Sequence, residues 1–140
     1  MQFIGIAGRT FQNGALYQNN ASQALWVKWM GWLEQYRSIL AADLVHVKKP
    51  TGRSWDAMMH VDPTASQGSP RAFAVFFNPS AAVVQVSTTL SVYYCGLAPS
   101  APVTATFMNG TIATLAQDGF FGLPLSFTLQ ARGFDWVALA

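Results

Sequence analysis

The chain has 140 residues and a net charge of +2, and only 10% of its residues are charged, against about 25% in an average soluble domain. This length suits one domain that buries a core without disulfides or a metal, and the single cysteine, Cys95, excludes an internal disulfide. Because no basic run is longer than Lys48-Lys49 and no uncharged apolar run reaches 18 residues, we expect neither a nucleic-acid nor a membrane partner.

The low charge and the many Ser, Thr, Gln and Asn residues favour an extracellular protein. The first ten residues, MQFIGIAGRT, lack the sustained apolar segment of a signal peptide. If the protein is secreted, we therefore expect its leader to lie outside this chain.

Residues 1–42 are predicted to form an irregular lead-in followed by one amphipathic helix. Gly, Asn and Gln recur at short intervals in the first 20 residues, which leaves room for one short strand at 3–6. Asn20 or Ser22 is a suitable N-cap, and the helix is expected to end at about Ala42.

The predicted helix carries an unusually wide apolar side. At about 100° per residue, nine large apolar side chains fall within an arc of roughly 180°, whereas one packed face usually needs about 100°. The nine are Leu25, Trp26, Trp29, Met30, Trp32, Leu33, Tyr36, Ile39 and Leu40. We therefore expect this helix to contact more than one surface.

From residue 43 to 140 the apolar period changes to two. Short runs rich in β-branched and aromatic residues alternate with turn residues, which predicts an antiparallel β-sandwich of about eight strands, in one structural unit with the helix. The runs are LVHVKK, SWDAMMHV, AFAVFFNP, AVVQVSTTL, SVYYCGL, PVTATFM, TIATLA, LSFTLQ and FDWVAL. Asn109-Gly110, between two of them, predicts a hairpin with a two-residue loop in which both residues have positive φ.

The ionisable residues do not predict a catalytic or metal centre. The acidic residues are scattered through turns and strand faces, and Asp56 is singled out among them as a strand residue beside Trp55. His46 and His60 fall on neighbouring predicted strands, but two histidines without a second cysteine are too few for a typical zinc site. Cys95 is expected to be a buried, unreactive thiol, and we expect no cofactor.

Aromatic side chains on a sandwich can stack on sugar rings, although burial explains most of them. The candidate carbohydrate-binding residues are Trp55, Asp56 and Tyr94. The other aromatic residues are expected to fill the core. Two face-sharing sets in the last two runs are Leu125, Phe127 and Leu129, and Phe134, Trp136 and Ala138.

Several short motifs resemble those of a known family. The segments YRSIL, HVDP, FFNPS and YYCGL lie within residues 25–98, and the weaker match RGFDWVAL lies near the end. Together they resemble the C-terminal region of α-galactosidase-like glycoside hydrolases, in which the last helix of a catalytic barrel is followed by a β-sandwich. The barrel strands that hold the catalytic residues of that family are missing here, so the resemblance implies no catalytic residue in this chain.

The resemblance also implies roles for particular residues. The helix residues would dock on the barrel, and His60, Asp62 and Asn78-Pro79 would hold the sandwich together. The predicted docking residues, including one tryptophan added from the helical pattern, are Trp26, Trp29, Trp32, Tyr36 and Arg37.

Three functions remain open from the sequence. The first is a non-catalytic accessory domain of a carbohydrate-active enzyme, packed on a barrel domain absent from this chain. The second is a free-standing module that binds a glycan. The third is a structural protein that pairs with its own copy through the apolar side of the helix, around a two-fold axis.

Overall fold

The computed structural model describes residues 20–140, which contain one α-helix, eight strands and one short 3₁₀ helix. The helix is α1 (Asn20–Leu40), and the strands are β1 (Asp43–Lys48), β2 (Asp56–Val61), β3 (Ala72–Phe77), β4 (Val84–Ser91), β5 (Val103–Phe107), β6 (Ile112–Leu115), β7 (Gly122–Leu129) and β8 (Phe134–Leu139). This mainly β fold confirms the predicted class. The strand expected at residues 3–6 lies outside the described residues.

The strands form two antiparallel sheets. One sheet has six strands in the order β1-β2-β3-β8-β5-β6, and the other pairs β4 with β7. A β-bulge interrupts β1 between His46 and Lys48. The described chain divides into two compact units between Arg37 and Ser38, so most of α1 belongs to one unit and every strand belongs to the other.

The core of the strand unit consists of alternate residues from both sheets. Val86 and Leu90 from β4 and Leu123 from β7 are fully buried in one cluster with Phe76 and Leu139 of the larger sheet. Because successive strand residues point to opposite faces, each strand contributes every second side chain to this cluster. The face of β7 predicted from Leu125, Phe127 and Leu129 is turned to the core, as expected.

Both faces of β8 carry buried residues. Phe134, Trp136 and Ala138 share one face, as predicted, and Trp136 and Ala138 are buried there, while Val137 and Leu139 on the other face enter the core cluster. Both faces of FDWVAL are apolar, so an alternating pattern cannot distinguish the inward face from the outward one. The Trp136 ring stacks on the Phe73 ring with centroids 5.1 Å apart, and both side chains are buried.

The hairpin at Asn109-Gly110 forms, but with a different turn. Phe107 N–H donates to Thr111 O (2.9 Å) and Gly110 N–H to Phe107 O (2.9 Å), which gives a three-residue loop. Only Gly110 has a positive φ, 85°. This is the type I turn with a following left-handed residue, and it needs one glycine where the predicted turn needs two residues of positive φ.

The predicted strand SVYYCGL is also wrong. β4 ends at Ser91, and Tyr93–Cys95 form a short 3₁₀ helix that ends at Gly96 with φ 66°. The prediction of a buried Cys95 is confirmed, and burial raises the pKa of its thiol to about 11. This helical turn lifts both tyrosine rings out of the sheet.

Candidate functional site

The first candidate surface is the apolar side of α1. Trp29, Trp32 and Tyr36 form a ladder of rings, with centroids 5.7 Å apart for the first pair and 5.6 Å for the second. Residues three and four apart lie on the same side of a helix, so this spacing brings the rings together within α1. The Lys28 ammonium lies 5.9 Å from the centroid of the Trp29 ring.

Burial varies strongly along this side of α1. Tyr36 and Ile39 are buried, and burial raises the pKa of the Tyr36 hydroxyl. Trp26 and Trp32 are half-buried, while Arg37 is exposed. Five large apolar side chains of α1 are each more than a third exposed; four lie within the predicted apolar arc and one, Val27, lies outside it. The four are Leu25, Trp29, Met30 and Leu33. We call these five residues the apolar flank.

Two of the predicted sugar-binding residues have neighbours that limit such a role. The ring centroids of Trp55 and the core residue Phe76 are 6.3 Å apart. The Lys48 ammonium lies 3.8 Å from the centroid of the Trp55 ring. Trp55 is thus half-buried with a cation over its ring. Asp56 is also half-buried and begins β2 opposite Phe77.

The structure separates Tyr94 from these two residues. Asp56 and Val61 lie at opposite ends of β2, roughly 17 Å apart at the usual rise per residue. Tyr94 lies near the Val61 end of β2. Arg71 directly precedes Ala72, the β3 partner of Val61, and its Nη1 donates to Gly96 O (3.1 Å), two residues after Tyr94. Trp55, Asp56 and Tyr94 therefore do not line one site.

Tyr94 belongs instead to a second candidate surface, formed by four aromatic residues at one end of the sandwich. Ring centroids are 5.2 Å apart for Tyr93 and Tyr94 and 5.2 Å apart for Tyr93 and Phe121, both pairs nearly perpendicular. Tyr93 is 62% exposed, Tyr94 56%, and the neighbouring Phe120 91%. We call Tyr93, Tyr94, Phe120 and Phe121 the aromatic end.

The loop that carries the phenylalanines is held tightly. Asp118 Oδ1 accepts the amides of Phe120 (2.8 Å) and Gly122 (2.7 Å), and Asp118 N–H donates to Gly122 O (2.8 Å). Phe121 has φ 63°, which is rare for a bulky residue, and its carbonyl accepts Val92 N–H (2.9 Å). This bond joins the loop directly to the segment that carries the tyrosines.

Arg71 ties a further loop to the same end of the sandwich. Its Nη1 donates to Pro63 O (3.1 Å) as well as to Gly96 O. Gly96 lies so close to Pro63 that a Cβ at this position would be 2.8 Å from Pro63 O. Asp62 accepts both the amide and the hydroxyl of Thr64, which lowers the pKa of its carboxyl. The motifs HVDP and YYCGL are thus in contact.

The ionisable side chains of the described residues do not meet the requirements of a metal site. No three His, Cys, Asp or Glu side chains within residues 20–140 are arranged to hold a metal ion. His60 Nδ1 lies 3.3 Å from Ala42 O, next to β1. No helix in the described part of the chain has the length and apolar character of a membrane span.

Of the four residues of the aromatic end, the sequence selects only Tyr94 as a carbohydrate-binding candidate. Tyr93, Phe120 and Phe121 are also aromatic residues available for stacking, but the argument from burial does not separate them from core residues, although Phe120-Phe121 lies in DGFFG, between two glycines. Paired aromatic residues inside a turn sequence are the signal that could have found them, since turns lie at the surface.

Comparisons with protein-family models, with curated proteins and with solved structures found no match. The similarity to α-galactosidase-like enzymes therefore rests on the short motifs alone.

Proposed function

We propose that this chain is a non-catalytic accessory module of a carbohydrate-active enzyme, and that α1 docks on a catalytic barrel domain outside this chain. The apolar flank carries the proposal, because several large exposed apolar side chains on one helix mark an interaction surface. The motif resemblance supplies the kind of partner. An extracellular location is part of the proposal, since a surface of few charges and many hydroxyls suits it.

The size of the apolar flank favours docking within one polypeptide or a permanent complex. Full burial of one large apolar side chain contributes about 1.5–3 kcal/mol, and the five residues are partly buried already. Burying the parts of these side chains that are still exposed would therefore contribute about 3–6 kcal/mol in total to docking. Bringing two free molecules together costs about 4–15 kcal/mol, whereas a linked domain avoids most of this cost.

Methionine oxidation can test the docking, because α1 and the β5–β6 hairpin each present one methionine of equal exposure. Met30 on the apolar flank and Met108 on the hairpin are both 41% exposed. Oxidation of a methionine follows its exposure. We would label the isolated chain and the native protein, captured from its source with an antibody against this chain, and quantify both residues by mass spectrometry.

The proposal expects Met30 to be protected at least several-fold in the native protein and Met108 to react equally in both samples. The captured species should also be much heavier than 15.2 kDa. Equal reactivity of Met30 in the two samples would contradict docking. Protection of Met30 in the isolated chain that grows with protein concentration would indicate self-association instead.

A further inference from the structure

We infer that the aromatic end is a binding site for neutral sugar rings, with Phe120 and Tyr94 as stacking residues and Asp118 as a hydrogen-bond acceptor for hydroxyls. None of these residues belongs to the apolar flank. The evidence for the site is the exposure of its rings, the conformation and rigidity of its loop, and the charges at this end of the sandwich.

The backbone of Phe121 is strained, while its half-buried ring packs against the core. A bulky residue at φ 63° costs roughly 1–3 kcal/mol, and glycine would avoid this cost. The flanking residues Gly119 and Gly122 show that glycine is used freely in this loop, yet the left-handed position holds phenylalanine. Residues held in such conformations concentrate at ligand-binding sites.

The aromatic end is also ordered before any ligand arrives. Besides the bonds of Asp118, the side chain of Gln117 is buried and its Nε2 donates to Ala98 O (3.2 Å) and Ala101 O (2.7 Å). Both ends of the loop are thus fixed. A rigid site loses little entropy on binding, so a few weak stacking contacts are enough to hold a ligand.

The charges near the rings favour a neutral ligand. Asp118 is an exposed acidic residue in the loop of the phenylalanines, and its Oδ1 accepts both backbone amides, so Oδ2 is the oxygen to which a hydroxyl would donate. At the same end of the sandwich, Arg71 Nη1 donates to two backbone carbonyls. Asp62 and Asp118 outnumber this one cation, which disfavours phosphate groups, so nucleic acids and anionic lipids fit poorly. A pyranose offers apolar C–H faces for the rings and hydroxyls for the carboxylate.

Affinity electrophoresis provides the test. The protein would be run through native gels containing galactomannan, xylan or mixed-linkage glucan, beside Phe120→Ala, Tyr94→Ala and Ile112→Ala variants. Ile112 is a matched control, because it is 68% exposed but lies in β6 at the end opposite Leu115, away from the aromatic end. Thermal denaturation of each variant would establish that it is folded.

We expect at least one polysaccharide to retard the wild-type protein, with about 2- to 12-fold weaker binding after loss of either ring and no change in Ile112→Ala. Absence of retardation with all three polysaccharides would overturn the inference. Equal weakening in Ile112→Ala would reveal nonspecific adhesion and overturn it too. Binding to phosphatidylcholine vesicles in place of polysaccharides would assign the surface to membranes. The oxidation pattern of Met30 is independent of all these results.

Discussion

Asn78 is the side chain whose removal should most clearly reveal how the strand unit is held together. It is only 2% exposed, and its Nδ2 donates to Ala82 O (2.8 Å) and Gln130 O (2.9 Å). Its Oδ1 accepts the amide (3.1 Å) and the hydroxyl (2.8 Å) of Ser80. One amide group thus joins the loop after β3 to the end of β7.

The cost of Asn78→Ala follows from these four bonds. A typical bond contributes about 0.5–1.5 kcal/mol, and buried partners left without a bond cost more than exposed ones. The Ser80 hydroxyl shares its one proton between Asn78 Oδ1 and Ala82 O (3.0 Å), so it keeps an acceptor after the substitution. We therefore expect a loss of about 2–4 kcal/mol in the free energy of unfolding, or a fall in Tm of roughly 6–15 °C.

Urea denaturation followed by tryptophan fluorescence would measure this loss. Asn109→Ala is the control, because that exposed side chain accepts a single local bond from Thr111 N–H (2.9 Å), and its loss should cost no more than about 1 kcal/mol. If the two variants lose equal stability, the bridge from Asn78 to Gln130 does not hold the strand unit together.

Three further substitutions or reactions test other parts of the structure. Cys95 should not react with a thiol reagent at pH 8 in the native protein, since burial raises its pKa to about 11, and should react once per chain in urea; fast native reaction would contradict its burial. Gly96→Ala should cost about 1–3 kcal/mol more than Gly52→Ala in urea denaturation, because both residues have similar φ but only Gly96 contacts Pro63. Burial raises the pKa of Asp135, so the folded state holds this proton more tightly than the unfolded chain and gains stability as pH falls through that pKa. Asp135→Asn should therefore raise Tm at pH 7 and weaken this pH dependence, and an unchanged pH profile would refute the assignment.

Most of the fold could be predicted, because apolar and polar residues alternate along the strands and the turns contain residues that favour turns. The errors occur where local preference and tertiary contacts disagree. Val92-Tyr93-Tyr94 favours a strand by composition, but the Val92 amide bonds to Phe121 O and Gly96 packs on Pro63, so the chain turns instead. The sequence of this segment alone cannot reveal that Phe121 and Pro63 are its contacts.

The aromatic end could not be predicted for a related reason. Its two halves are separated by about 25 residues, and they meet because Ser91, at the end of β4, is opposite Gly122, at the start of β7. That register follows from the pairing of two strands that are not neighbours in sequence. Sequence reasoning grouped Tyr94 with Trp55 and Asp56 because all three seemed to lie on strands, whereas the structure places them at different ends.

The exposure of Phe120 is the strongest single argument for function in this chain. A chain with 10% charged residues has little to keep it soluble, so an almost fully exposed phenylalanine raises the risk of aggregation. Because the side chain is 91% exposed, it adds almost nothing to the stability of the fold. The strain at Phe121 is a different case, because packing of its ring against the core offsets that cost. A cost without a structural benefit, as at Phe120, is expected where a loop is selected for what it binds.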